Sequence, residues 1–330
     1  MDFRLTDDQL ELQAGIEQFC AGVFPAEALP GMEGVGPSPD AWRALGELGL
    51  FRLRDAEADG GLGLGWVETA VVYEVLGRHL VPGPLVWTQL FAGLVPGAAD
   101  GECAVTGLDL ADDAGPWLVE HPDLAGALAI LAPDGVALVD AAAWGELEPV
   151  EPLDPLTPVA RLPIVPGGTA VADAAVAAAM RVEGAQLSAA LLVGMADRAL
   201  DLARTHALER EQFGRPIGAF QAVQHLLADM YVRMMLARSG TYGAAAVLDE
   251  RGLDEGAGDA HTAVASAKVV GADAAMANAR SCIQVHGGMG FTWEMMPHYL
   301  LKRTWVLEHS FGTTARHTES IAAALGSPKS

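Results

Sequence analysis

The chain is short of cysteine, of positive charge and of unbroken apolar runs. Its three cysteines, Cys20, Cys103 and Cys282, are far apart and form no Cys-x-x-Cys pair. That spacing gives little support to a disulfide scaffold or a structural zinc site. All three are expected to be buried small side chains. Lysine and arginine total 20 against 43 aspartates and glutamates, a formal net charge of -23. Nucleic acid and anionic membrane both call for a basic surface, so neither is an expected partner. No run of about 18 apolar residues is free of charges and helix breakers. Residues 1–8 are acidic and lack the apolar core of a signal peptide. A soluble, cytoplasmic protein with no membrane span and no metal site is expected.

What is present is a globular composition, 51% hydrophobic and rich in alanine, leucine and valine. The length accommodates two or three domains. Residues 1 to about 100 read as helical. Thr6 and Gln9 stand at capping-box spacing, and Leu10, Leu12, Ile16 and Phe19 recur at near-helical intervals. The glycine-rich stretch 59–65 has no strand before it and no Lys-Ser/Thr after it, so it reads as a turn between helices. Residues 66–80 read as a further amphipathic helix. Residues 101–168 change character: prolines and glycines are frequent, and two short apolar runs, 128–131 and 136–139, flank the turn signal Pro133-Asp-Gly135. From 169 to 330 the chain reads as helical again. Long helices are expected over 185–208, over 212–250 after a turn at 214–218, over 259–285 up to Gly287-Gly288, and over 293–325. The expected fold is mostly α with a small central β region.

Two runs carry the chemistry. The first is Arg210-Glu-Gln-Phe-Gly-Arg-Pro-Ile-Gly-Ala-Phe-Gln221, and the second is Gln284-Val-His-Gly-Gly-Met-Gly-Phe291. In that order they resemble the C-terminal half of acyl-CoA dehydrogenases. The order helical, β, helical also resembles that family, in which an N-terminal helical domain and a β domain precede a C-terminal four-helix bundle. The resemblance implies an FAD shared across a subunit interface, with the pyrophosphate and adenosine clamped by Arg210, Gln212, Phe213, Gly214, Gln221, Gln284, Gly287 and Gly288; His286, inside the second run, is a candidate cofactor contact. The resemblance implies a further contact from Thr313. The residue types suit that role. An arginine fork donates bidentately to phosphate oxygens. Glycines admit close backbone approach, and glutamines meet hydroxyls and adenine edges without adding charge. Apart from the resemblance, Arg210 reads as a surface ion-pair partner of Glu209 or Asp229, and Gly287-Gly288 as a helix stop.

The pattern is also broken. The family reaction needs a base to take the proton α to the thioester. Where many members carry a glutamate before Gly-Thr, this chain has Phe311. Where others carry it at the start of the helix leading to the arginine turn, it has Gly184. The weak candidates for a base are Glu183, one position off and read as a first-turn acid on the helix dipole, and Glu308, three positions before Phe311. The middle region is shorter than the family's β-barrel and holds no Thr-Glu-Pro-x-Ala-Gly-Ser-type segment for the flavin ring. His225, His298 and His309 read as hydrogen-bonded structural residues.

These features resemble the short, base-lacking subunit of α2β2 acyl-CoA dehydrogenases that act on steroid side-chain CoA thioesters. The implied role is that of a partner which completes the FAD site of a catalytic subunit and is inactive alone. The alternatives are a self-sufficient homo-oligomeric dehydrogenase and a flavin-free scaffold relative.

Overall fold

The computed structural model describes residues 4–111, 115–253 and 258–326. The chain folds as two compact units, each discontinuous in sequence. One gathers Met1–Ala26, Trp66–Val81 and Ala185–Ser330, and the other gathers Glu27–Gly65 and Pro82–Gly184.

The first unit is helical. Its α1 (Asp7–Val23) opens on the expected capping box: Gln9 N donates to Thr6 Oγ1 and Thr6 N donates to Gln9 Oε1. It also holds α3 (Trp66–Arg78), most of α5 (Ala174–Glu209), α6 (Gln221–Arg251), α7 (Gly258–His286), α8 (Pro297–His309) and α9 (Thr314–Gly326). The helices cross closely because small residues line their contacts. A Cβ on Gly77 would lie 2.0 Å from the Leu191 carbonyl oxygen, and one on Gly194 would lie 1.8 Å from that of Glu74. The two glycines let α3 and α5 pack backbone against backbone. Ala196, Ala237, Ala272 and Ala275 continue the small-residue contact between α5, α6 and α7.

An ion network crosses the same helices. Arg78 binds Glu17, Asp197 and Asp201. Arg238 donates to Glu74 at 2.5 Å, and the Tyr242 hydroxyl donates to the other Glu74 oxygen at 2.9 Å. Burial and the Glu74 carboxylate both push the Tyr242 phenol well above its ordinary value. Glu74 is 3% exposed. Loss of Arg238 would strand its charge, at a cost of about 3–5 kcal/mol.

The second unit carries α2 (Pro39–Glu47), α4 (Leu85–Phe91) and the β region. Four strands form one sheet in the order β1 (Ala104–Asp109), β3 (Ala125–Ala132), β4 (Gly135–Asp140), β7 (Thr169–Asp173). The β1–β3 pair is parallel and the other pairs are antiparallel. The β3–β4 hairpin turns at the expected Pro133-Asp134, with Ala132 facing Gly135. A second sheet runs β2 (Trp117–Glu120), β6 (Val159–Leu162), β5 (Glu148–Val150). Leu108, Leu128, Ile130 and Val139 of the first sheet pack on Val119 and Leu162 of the second. The loop at 59–65 is a turn, as expected, held by Leu62 N and Leu64 N donating to the Arg52 and Leu53 carbonyls.

Several boundaries differ from the sequence-based expectation. The β region runs on to Asp173, because β7 pairs with β4. The following helix starts at Ala174 and not near 185, since the Asp173 carboxylate caps it by accepting from Ala175 N and Val176 N. Residues 211–216 form a two-stranded hairpin, and α6 begins only at Gln221. The expected helix over 293–325 is broken at 310–313, where Phe311 and Gly312 take positive φ. Cys20 and Cys282 are buried as expected, and the cause is packing against apolar surface, which pushes both thiols up to about 12. Cys103 is only half-buried. By length and composition α5 could cross a membrane, yet 61% of its most apolar window is buried inside the fold, as in a core helix.

Candidate functional site

The two motif-bearing runs meet at one corner of the helical unit. Arg210 follows α5 directly, and its carbonyl accepts from Ile217 N at 2.8 Å, which closes the hairpin of β8 (Glu211–Gln212) and β9 (Arg215–Pro216). Phe213 and Gly214 make the turn with φ of 55° and 76°. Two positive φ values in a two-residue turn match the twist of a tight hairpin. Gln212 Nε2 donates to the Glu211 carbonyl, and the Arg215 guanidinium lies 4.1 Å over the Phe220 ring.

The second run arrives along α7, which stops at His286. His286 is 8% exposed, and its Nδ1 donates to the Cys282 carbonyl at 2.8 Å. Its ring stacks on His206 of α5, with centroids 4.2 Å apart and planes 22° from parallel. His206 lies one turn before Arg210, so this stack brings the arginine hairpin and the Gln284–Gly288 run together. Sequence reasoning did not single out His206. Its only local signal is the i, i+4 spacing to Arg210.

The corner is open. Arg210, Gln212, Phe213, Gly214, Gln221, Gln284, Gly287 and Gly288 are all exposed, Phe213 to 91%. The Arg210 side chain makes no hydrogen bond or ion pair among the described residues, so the expected alternative of a pair with Glu209 or Asp229 is not formed. A Cβ on Gly214, Gly287 or Gly288 would meet nothing within 4 Å. The first two need glycine for their positive φ, 76° and 63°. Gly288 has no such φ, so nothing within this chain requires a glycine there. A free guanidinium, exposed glycine backbone and an unexplained glycine fit a diphosphate approached from outside the chain.

Thr313 is not part of this corner. Its hydroxyl caps α9 by accepting from Arg316 N at 3.2 Å. The turn before it is tied to α7 at Lys268, whose Nζ donates to the Ser310, Gly312 and Glu308 carbonyls at 2.5, 3.3 and 3.5 Å. Lys268 and Gln284 are separated by about 24 Å of α7, at 1.5 Å per residue. The fold thus splits the expected cofactor residues into a corner and a distant turn.

Neither candidate acid is placed as a free base. Glu183 is not in a first turn; it lies mid-helix in α5 and accepts from Arg54 at 3.2 Å. Burial raises its pKa, and the Arg54 charge opposes the rise. Glu308 is partly buried, which alone would raise its pKa, yet Thr314 N donating at 2.8 Å, helped by His309 and Lys268, draws it below the ordinary value. That carboxylate is a helix cap. Phe311 is buried, 5% exposed, with a φ of 56°. His298 and His309 hold the structural roles expected, donating to the Trp293 and Trp305 carbonyls. His225 is exposed.

A separate groove of about 1000 Å³ opens between α1, α3, α5 and α6. Glu17, Arg78, Asp197, Asp201 and Arg238 on its wall are already paired with one another or with Glu74. None of the expected site residues lines it.

Comparison with known proteins matches residues 6–96 to the acyl-CoA dehydrogenase N-terminal domain and residues 173–326 to the acyl-CoA dehydrogenase C-terminal domain. The acyl-CoA dehydrogenase IpdE2 of Mycolicibacterium smegmatis is 33% identical over 275 residues, 79% of each protein. The chain belongs to the acyl-CoA dehydrogenase family. The acyl-CoA dehydrogenase FadE34 of Mycobacterium tuberculosis is 34% identical over 308 residues, which is 86% of this chain and 42% of FadE34, so the chain spans less than half of that relative. Among solved structures, the ChsE4–ChsE5 complex of Mycobacterium tuberculosis has a TM-score of 0.84 at 23% identity, with 100% of both chains covered. The Tcur3481–Tcur3483 steroid acyl-CoA dehydrogenase G363A variant scores 0.80 at 23%, covering 97% and 98%. PigA with FAD and proline scores 0.83 at 19%, covering 99% of each. At these identities the structures establish the acyl-CoA dehydrogenase fold.

Proposed function

We propose that this chain is the base-lacking partner subunit of a heteromeric FAD-dependent acyl-CoA dehydrogenase. It grips the diphosphate and adenosine end of an FAD whose flavin ring is held by a catalytic subunit. The observation that carries the reading is a mismatch within one chain. The corner at Arg210 and Gly288 is open and unpaired, while the family's base position is filled by buried Phe311 and both nearby acids are engaged elsewhere. Residues 169–330 form the clamping and oligomerising part in this reading, residues 1–100 the N-terminal helical part and 101–168 a reduced β part. FAD supplies the hydride-accepting chemistry when bound. This chain's contribution is charge and position: Arg210 faces diphosphate oxygens, Gln212, Gln221 and Gln284 meet hydroxyl and adenine edges, and Gly214, Gly287 and Gly288 leave room. Thr313, on the distant turn, is a contact of a different part of the assembly.

The steroid acyl-CoA dehydrogenase and the two-component complex among the structural neighbours support an α2β2 assembly acting on a bulky, steroid-type acyl-CoA. A second reading has one observation in its favour. Burial raises the Glu183 pKa, as a general base requires, so a self-sufficient enzyme would use it. The test is co-expression. Purified alone, the chain is expected to hold little flavin and turn over no acyl-CoA; with its catalytic partner it is expected to give a yellow, active complex. Flavin bands and turnover in the solo chain, abolished by Glu183→Gln, would establish the second reading. A colourless co-complex would mark a scaffold.

A further inference from the structure

The stacked pair His206 and His286 is a titratable element that the clamp reading leaves unused. His286 donates through Nδ1 to the Cys282 carbonyl. His206 is half-buried on the solvent side of the stack, and its ring makes no hydrogen bond among the described residues. The charged and titratable groups that face it are Glu209 at the end of its own helix, Arg210 just after it and His286 on α7. Burial, the second imidazole and the Arg210 guanidinium all disfavour a charge on His206, and only Glu209 favours one. With no anion at the corner, His206 is therefore neutral near neutral pH. A diphosphate held at Arg210 reverses the balance, because it brings negative charge to within one helical turn of the ring.

We propose that His206 is a second cation of the diphosphate site, taking a proton from solvent when a diphosphate-bearing nucleotide is held at Arg210. This rests on the clamp reading and deepens it. The balance is simple: one proton moves from bulk water to an imidazole nitrogen, and no covalent bond to the ligand forms. By linkage, nucleotide affinity rises as pH falls, by up to about tenfold per pH unit between the titration midpoints of the free and the bound histidine. The corner then binds nucleotide most weakly when alkaline.

The full chain, labelled at the histidine ring carbons, would be titrated by NMR with and without ADP as the probe. ADP affinity would be measured across the same pH range for the native chain, His206→Phe and Arg210→Gln. Phenylalanine keeps an aromatic ring stacked on His286 and removes the titration. ADP is expected to raise the His206 midpoint. The native chain is expected to bind ADP more tightly as pH falls, while H206F shows a flat profile that meets the native one at alkaline pH. Arg210-dependent ADP binding with an unmoved His206 midpoint would overturn this proposal and leave the clamp standing. No Arg210-dependent response to ADP at any pH, in the chain alone and in the flavin-stripped complex with its catalytic partner, would overturn both.

Discussion

Gly288→Ala separates what the corner does for the fold from what it does for a ligand. The added methyl meets no atom of this chain within 4 Å, and the residue has no left-handed φ to strain. Replacing such a glycine trims the freedom of the unfolded chain and stabilises by up to about 1 kcal/mol. The same change at Gly287, whose φ is 63°, costs alanine roughly 1–2 kcal/mol and is a poorer probe. In the assembled complex the expectation inverts. A methyl group placed where a ligand approaches the backbone overpacks by about 1–3 kcal/mol, and each 1.4 kcal/mol is a factor of about ten. Flavin retention should therefore weaken by roughly 5- to 150-fold. The assay pairs a thermal melt of the isolated chain with flavin absorbance per complex after extended dialysis. An unchanged or slightly higher melt with lost flavin supports the clamp. The same melt with full flavin means that nothing approaches Gly288, and the corner is then not a nucleotide clamp.

Two further outcomes test the fold itself. Gly194→Ala forces a methyl to 1.8 Å from the Glu74 carbonyl oxygen and 2.6 Å from Arg78 N, so α3 and α5 must separate; a loss of at least about 3 kcal/mol and a melting temperature lower by upwards of roughly 5 °C are expected, and a melt within a degree or so of native would refute the backbone contact. His317, which donates to the Phe311 carbonyl at 3.0 Å, is pushed down to about 4 by burial and then by the Lys268 charge. Its folded value lies below its unfolded one, so its contribution is complete above the unfolded value and is lost as pH falls through that window toward about 4; denaturant melts of His317→Gln should show a flatter acid limb than the native chain, and identical limbs would remove His317 from the account.

What was legible in the sequence was local. The capping box at Thr6 and Gln9 and the turn at Pro133-Asp134 each form from residues a few positions apart, and both appear as expected. The arginine and glycine runs were recognisable as motifs because each is contiguous. What escaped was set by pairing at a distance. Asp173 starts α5 well before Gly184, and tertiary packing carries the helix through that glycine. The 211–216 hairpin depends on Phe213 accepting a positive φ, which phenylalanine seldom does. The Arg54–Glu183 pair and the Lys268 contacts with the 310–312 turn join residues far apart in the chain, and no local pattern announces either.

The break between α8 and α9 shows how this turn is held in shape with a phenylalanine at 311. Lys268 is fully buried, yet its three nearest acceptors are backbone carbonyls of one turn, at Glu308, Ser310 and Gly312. An ammonium has three donors, and three carbonyls use them all. The Glu308 side chain then caps α9 from the same turn. The backbone path is thus fixed by Lys268 and Glu308 without any demand on the side chain at 311. A phenylalanine can occupy that position and bury its ring while the helices on either side keep their places. In the proposed assembly the turn therefore holds its path whatever side chain stands at 311, and the corner where Gln284 meets the arginine hairpin, about 24 Å from Lys268 along α7, is independent of that residue.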